Sequence, residues 1–329
     1  MKRSAANPFL EHTPTPFSAM LRVINTPVYA ESNRRWLLRL TQHAFADYGE
    51  TAVTDPLRVR LIANNDRLDP AVDQPPPVYT TSEGDLLLAS MTPVDIGVCS
   101  FKSRRAMITV SPTMAQFTYH IRYELIEFIL YQMVRQALGA VGLHAGCVAR
   151  KGVSCLLFGE SGAGKSTLAY ACLMRGWQFL GEDGVFMLND TVHGTPNFIH
   201  LMEDAPVFFP TVNSMPGVGW ITRRSGRRKL EIDVRRIFPS APLDVAALGH
   251  LIFLVRQRHP RRQRPSIRPL TSADVREQLF AQQPFASMQP QWPELLARLL
   301  ARPAFLLNTG SDPHEAAALL ESVTYRFPK

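Results

Sequence analysis

Cysteine is scarce in this chain. The 329 residues hold only four: Cys99, Cys147, Cys155 and Cys172. None forms a C-x-x-C pair and no spacing suits a structural metal, which excludes a disulfide scaffold and a zinc ribbon. Cys155 and Cys172 fall in a strand and a helix expected to be buried, and read as small core residues. Long apolar runs are also missing. The longest, Leu125 to Val134, is interrupted by Glu127 and flanked by Glu124 and Arg135, too short and too charged to span a bilayer, so no membrane partner is expected. No segment is collagenous or of low complexity, although 26 Pro and 19 Gly make loops plentiful. No signal peptide follows Met1-Lys2-Arg3, so a cytoplasmic location is expected. Acidic residues are the minority, 28 against 36 basic ones, giving a formal charge of +8. That balance suits anionic partners.

What is present centres on one stretch. Val153 to Phe158 reads as an apolar strand and Thr167 to Met174 as a helical run. Between them lies Gly159-Glu160-Ser161-Gly162-Ala163-Gly164-Lys165-Ser166-Thr167. Residues 159–166 fit G-x-x-x-x-G-K-[ST], the phosphate-binding loop. The glycines permit backbone angles that let successive N–H groups cradle phosphate oxygens. The helix start adds further N–H groups and a positive dipole end. Lys165 supplies a point charge for the β- and γ-phosphates, and the Ser166 hydroxyl is the expected Mg²⁺ ligand.

Around this loop the chain divides into three expected regions. Residues 1–19, with Pro8, Pro14 and Pro16, read as a flexible arm. Residues 20–115 read as a strand-rich α+β region with one helix, Glu31 to Ala46, for which Ser32 is the N-cap candidate. Residues 116–329 read as an α/β nucleotide-type domain. It opens with a helix over Ile121–Leu138 and continues into a hairpin whose first strand, Val141 to Ala149, carries His144 near its start. A strand over Phe179–Leu188 bears Glu182 and Asp183 at its middle. Adjacent side chains on a strand point to opposite faces, so both acids can face the loop only if the strand breaks at Gly181 or Gly184. Paired acids beside bound phosphates can divide two tasks, one holding Mg²⁺ and one accepting a proton from an attacking hydroxyl. Residues 193–200 read as a loop.

Two arginine-rich stretches supply most of the positive charge. The first, Arg223 to Arg236, contains Gly226 and offers Arg227, Arg228 and Lys229 as ligands for phosphate or an acidic substrate; a solvated face is the alternative. The strand Lys229–Val234 within it reads as exposed. The second runs from Arg256 to Arg268, behind a buried-type strand at Leu248–Val255. Neither is interleaved with aromatics, which disfavours nucleic acid. Helices near Ser272–Gln282, Trp292–Ala301 and Pro313–Val323, with a strand at Ala304–Asn308, complete the expected elements.

The order His144, loop Gly159–Ser166, Leu168-Ala169, Arg175-Gly176 and Glu182-Asp183 resembles the kinase domain of the HPr kinase/phosphorylase family, and most closely its divergent HPr-kinase-related group. The resemblance runs from about Leu143 to Met187. It implies a phosphoenolpyruvate-carboxykinase-like P-loop kinase fold, and ATP- and Mg²⁺-dependent phosphorylation of a serine hydroxyl. Carried over by position, Lys165 and Ser166 serve phosphate and metal, Asp183 the metal, Glu182 the proton, and His144 is the active-site histidine. The family's long glycine-containing signature loop is not found, so the implied acceptor is a hydroxyl of another peptide or protein, or of a small molecule. A nucleotide-dependent regulatory protein is the competing reading, and a homo-oligomer is left open.

Overall fold

The computed structural model describes residues 12–49, 53–65, 73–256 and 263–326. It is a mixed α/β structure that divides into two compact units, Met1–Leu138 with Arg223–Gly226, and Gly139–Thr222 with Arg227–Lys329. The division falls at Leu138 and not near residue 115, because the helical run 118–138 packs on the first unit's sheet. A Cβ on Gly97 of that sheet would come within 2.6 Å of Ile129 Cγ1 and 3.3 Å of Leu125 Cδ1. Among the described residues no helix is long and apolar enough to cross a membrane.

The first unit is one sheet of eight strands. In spatial order they are Ala46–Asp47, Phe17–Val23, Thr26–Ser32, Leu57–Ala63, Arg105–Val110, Ile96–Ser100, Leu86–Ser90 and Tyr79–Glu83. The three strands from Thr26 to Val110 run parallel and the rest antiparallel. Alternation decides the faces. Val28, Ala30, Val59, Leu61, Ala106 and Ile108 are buried, while Tyr29, Arg58, Arg60 and Met107 point the other way and keep some exposure. Helix Arg35–Ala44 crosses between the parallel strands and buries Leu37, Leu38, Thr41 and Ala44. It starts later than the sequence suggests. Ser32 ends a strand, although its Oγ still accepts the Arg34 N–H at 3.1 Å. Phe17–Val23 is a strand, so the expected arm is shorter than 1–19, and its residues 1–11 lie outside the described residues. The helix expected over Ile121–Leu138 begins at Thr118, and Ile121–Glu127 has π-helical bonding before the α-helix Phe128–Leu138.

The second unit has a central sheet with helices on both faces. Strand Val153–Phe158 runs parallel to the long strand Val245–Val255, which in turn runs parallel to Ala304–Asn308. Leu157, Ile252 and Leu307 face helices Lys165–Met174 and Pro313–Arg326; Leu156, Phe158, Leu251 and Phe253 face helices Ser272–Gln282 and Trp292–Leu300. A separate antiparallel sheet holds Phe198–Met202, Arg228–Asp233 and Val218–Thr222. The stretch 193–200, read from sequence as a loop, thus contains the end of strand Thr191–His193 and the start of Phe198–Met202. The strand around Lys229–Val234 is not exposed throughout, for Leu230, Ile232 and Asp233 are buried. Of the second arginine cluster, Arg258, Arg261 and Arg262 lie outside the described residues.

The register between Val153–Phe158 and Val245–Val255 shifts, with Val153 opposite Ala247 but Cys155 opposite His250. Gly249 absorbs the shift. Its N–H donates to Ser154 Oγ at 3.1 Å, and a Cβ there would fall 2.4 Å from the Ser154 carbonyl oxygen. That oxygen is backbone and cannot step aside. Gly249→Ala is therefore expected to cost about 1–3 kcal/mol through overpacking, read as a lower urea midpoint at unchanged slope; an unchanged midpoint would show that the two strands are not held this closely.

Candidate active site

Strand Val153–Phe158 delivers the chain into the glycine-rich loop from a fully buried end. Gly162 (φ 86°) and Gly164 (φ 98°) take left-handed angles that a side chain would oppose. Gly164 is also the N-cap of helix Lys165–Met174, so no side chain caps that helix start. Its first amides and the positive end of its dipole lie beside the loop. Lys165 is buried, and its ammonium donates to the Gly159 carbonyl at 2.7 Å and to the Glu160 carbonyl at 3.4 Å. Burial pushes its pKa below the ordinary lysine value, Asp183 and Glu182 push it back up, and Lys229 adds to the lowering.

The acid pair sits in a broken strand. The segment expected as one strand is two, Gln178–Gly181 and Val185–Leu188, with Glu182, Asp183 and Gly184 between them. The break frees Glu182 from the alternation of the strand. One of its oxygens, Oε1, accepts the Ser166 hydroxyl at 2.6 Å. The other, Oε2, meets the backbone N–H of His200 at 2.8 Å and its ring Nδ1 at 2.7 Å. His200 Nε2 lies 2.9 Å from Glu231 Oε2, directly across the pair Phe198–Met202 and Arg228–Asp233. Glu182, His200 and Glu231 thus form a carboxylate–imidazole–carboxylate chain. Both ring nitrogens face carboxylate oxygens, an arrangement satisfied by a proton on each bridge.

Glu182 and His200 are 6% and 3% exposed, so both are deeply desolvated. Burial pushes the Glu182 carboxyl up. The charge and hydrogen bond of His200, with Lys229 and the Ser166 hydroxyl, more than offset it and hold the group below its ordinary value.

His144 is not inside a strand. The expected strand Val141–Ala149 is two, Val141–Leu143 and Gly146–Arg150, which occupy separate places in the sheet. His144 stands exposed in the switch between them, its ring Nδ1 3.0 Å from the Asp183 carbonyl oxygen. Buried Gln283 clamps the switch from both sides. Its Oε1 accepts the His144 N–H at 2.8 Å and its Nε2 donates to the His144 carbonyl at 2.9 Å.

The three basic residues expected as ligands separate. Lys229 joins the site electrostatically. Arg228, its neighbour on the strand, points away to lie 4.8 Å from the Trp220 ring centre and 4.0 Å from Glu203. Arg227 is exposed at the hairpin tip. Sequence reasoning missed His200, Glu231 and Gln283. The only local signal was the alternation Lys229-Leu230-Glu231, which placed Lys229 and Glu231 on one face.

Among the described residues no group of three or more His, Cys, Asp or Glu is arranged around a metal position. The oxygen pair Ser166 and Glu182 nonetheless suits Mg²⁺, which takes few protein ligands and fills its remaining positions with water and phosphate oxygens. Asp183 is half-buried next to them.

No family model matches the chain, and no curated protein matches it. A solved structure of the Hpr(Ser) kinase/phosphatase from Coxiella burnetii aligns over 56% of this chain and 94% of that one, at 18% identity and a TM-score of 0.29. At that score the alignment assigns neither a fold nor an activity to this chain.

The depressed Glu182 pKa fixes the direction of a pH effect. A carboxyl held below its unfolded value contributes stability above that value, and the contribution is lost as pH falls through the folded pKa. His200→Ala leaves a buried carboxylate without its charged partner and is expected to cost about 3–5 kcal/mol near neutral pH. The gap from the wild type should narrow as the pH drops below 4.5, the ordinary value for this carboxyl. Urea unfolding at a series of pH values reads it; a gap that does not change with pH would contradict the charged pairing.

Proposed function

We propose that the protein is an ATP-dependent phosphotransferase of the HPr-kinase-related type, moving the γ-phosphoryl group to a hydroxyl of a peptide or protein. The observation that carries this reading is the 2.6 Å bond between Ser166 and Glu182. It joins the hydroxyl of a phosphate-binding-loop pattern to a buried carboxylate from the break between two strands, and both are oxygen donors of the kind Mg²⁺ takes. When bound there, Mg²⁺ would neutralise charge on the β- and γ-phosphate oxygens. The loop amides and the helix start bind the phosphates, and Lys165 places its charge on them. Its bonds to the Gly159 and Glu160 carbonyls are the ones it would exchange for phosphate oxygens.

The geometry favours exchanging the roles that the resemblance gives to the two acids. Glu182 has both oxygens engaged, one of them by Ser166, and is almost inaccessible, which sets it with Ser166 in preference to an incoming acceptor hydroxyl. It belongs to the metal side with Ser166. Asp183 is half-buried, close to Lys165, and its carbonyl orients His144. Asp183 is then the group that takes the proton from the attacking hydroxyl, with His144 exposed next to it on the acceptor's side. His200 and Glu231 act through Glu182 as positioning residues.

Three variants separate these roles. Lys165→Ala should abolish transfer. Glu182→Gln should lose the Mg²⁺-dependence of ATP binding. Asp183→Asn should keep Mg²⁺-dependent ATP binding while kcat falls by about 10²-fold or more. Calorimetric titration with a non-hydrolysable ATP analogue, with and without Mg²⁺, reads the binding. If Asp183→Asn abolished the Mg²⁺ effect and Glu182→Gln preserved it, the roles would revert to the arrangement implied by the resemblance. ATP binding unaffected by Lys165→Ala would remove the loop assignment.

A further inference from the structure

Among the described residues the sheet of the first unit carries helices on one face only. The other face bears two parallel rows of side chains, and at its edge Arg60 donates to the Thr13 carbonyl at 2.8 Å. One row crosses five strands in register as Tyr29, Arg58, Arg105, Ser100 and Leu86. The second row, next along the strands, is Glu31, Arg60, Met107, Val98 and Leu88. All of these except Leu88 line an open groove of ≈ 430 Å³.

The charges in this groove do not cancel. Arg60 is paired with Glu31 at 2.8 Å. Arg58 and Arg105 stand directly opposite each other on adjacent strands, and among the described residues neither has an acidic partner. Like charges placed side by side across strands oppose pairing. Arg58 does lie 5.3 Å from the Tyr29 ring centre, which orients the guanidinium but leaves its charge uncompensated. Beyond the arginines the groove turns apolar, with Val98 and Met107 half-buried and Leu86 exposed. The surface is thus cationic at one end and apolar at the other.

We propose that this face is a docking site for an acidic peptide segment that carries an apolar residue and lies extended across the strands. Charge complementarity selects the acid, since a carboxylate between Arg58 and Arg105 turns a repulsive row into an attractive one. Dimensions select a chain over a small anion. Five strands at the usual spacing cover roughly 19 Å, the reach of about six extended residues. The groove also offers one aromatic ring, already covered by Arg58, and so no platform on which successive bases could stack. The site is separate from the phosphate-binding loop and does not depend on the reading of that loop, because it is measured by binding alone.

The test uses the full chain and a fluorescein-labelled peptide of alternating glutamate and leucine, about six residues long, with an alternating lysine–leucine peptide as control. Anisotropy should show binding of the acidic peptide only. Arg58→Glu/Arg105→Glu should weaken it by about tenfold or more, and should bind the lysine–leucine peptide in its place. Arg58→Gln/Arg105→Gln guards against a folding artefact: it removes the like-charge row, so its thermal midpoint should equal or exceed that of the wild type while acidic-peptide binding is lost. Equal affinity of wild type and both variants for the acidic peptide would overturn the proposal. So would full displacement by inorganic phosphate at the peptide's own concentration, or by oligothymidylate, since either would make the groove a site for a different anion. Unchanged nucleotide binding in both variants would keep the result distinct from any failure at the phosphate-binding loop.

Discussion

A buried carboxylate that must stay charged governs the architecture of the second unit. Glu182 lies in a region from which water is excluded, and an unpartnered carboxylate there would take up a proton. His200 prevents this through two bonds, one from its backbone and one from its ring. The imidazole is in turn held by Glu231. The small sheet that carries both residues therefore has a task beyond packing. It delivers a positive group to the far side of Glu182, so that the carboxylate can present its other oxygen to Ser166. The strand break at Glu182–Gly184, the strand Phe198–Met202 and the start of helix Lys165–Met174 all converge on that one side chain.

The same economy of backbone recurs around the loop. Gly249 lets two parallel strands approach through a register shift, and Gly162 and Gly164 turn the chain into the helix. Gln283 serves a similar end by other means. A strand that changes neighbours exposes backbone groups, and one buried side-chain amide satisfies both the N–H and the carbonyl of His144 at the switch. His144 is consequently fixed next to Asp183 although it lies outside regular structure.

The parts legible in the sequence were those governed by local spacing. The loop from Gly159 to Ser166 and its flanking strand and helix were readable because each requirement, from glycine angles to the Lys-Ser pair, falls within a few residues. Gly181 and Gly184 likewise marked where the acid-bearing strand could break. What escaped was set by distant pairing. His200 and Glu231 are 31 residues apart and meet only because two strands pair in one register. Gln283 reaches His144 across 139 residues. The alignment of Arg58 with Arg105 across two strands of the first unit is likewise a property of the sheet. The basic stretch Arg227-Arg228-Lys229 is continuous in sequence, but the period of two divides it, leaving Lys229 to act on Lys165 and setting Arg228 on Trp220.

The central claim is that this site transfers phosphate. Incubation with γ-labelled ATP and Mg²⁺ in a lysate of the source cell, split into macromolecular and small-molecule fractions, tests it most directly, with the Lys165→Ala protein as control. The account predicts label in a protein or peptide band that depends on the wild-type protein and is lost with Lys165→Ala. Label confined to the small-molecule fraction would keep the transferase but contradict the peptide or protein acceptor. No label dependent on the wild-type protein in either fraction, with ATP still bound, would contradict the transfer itself.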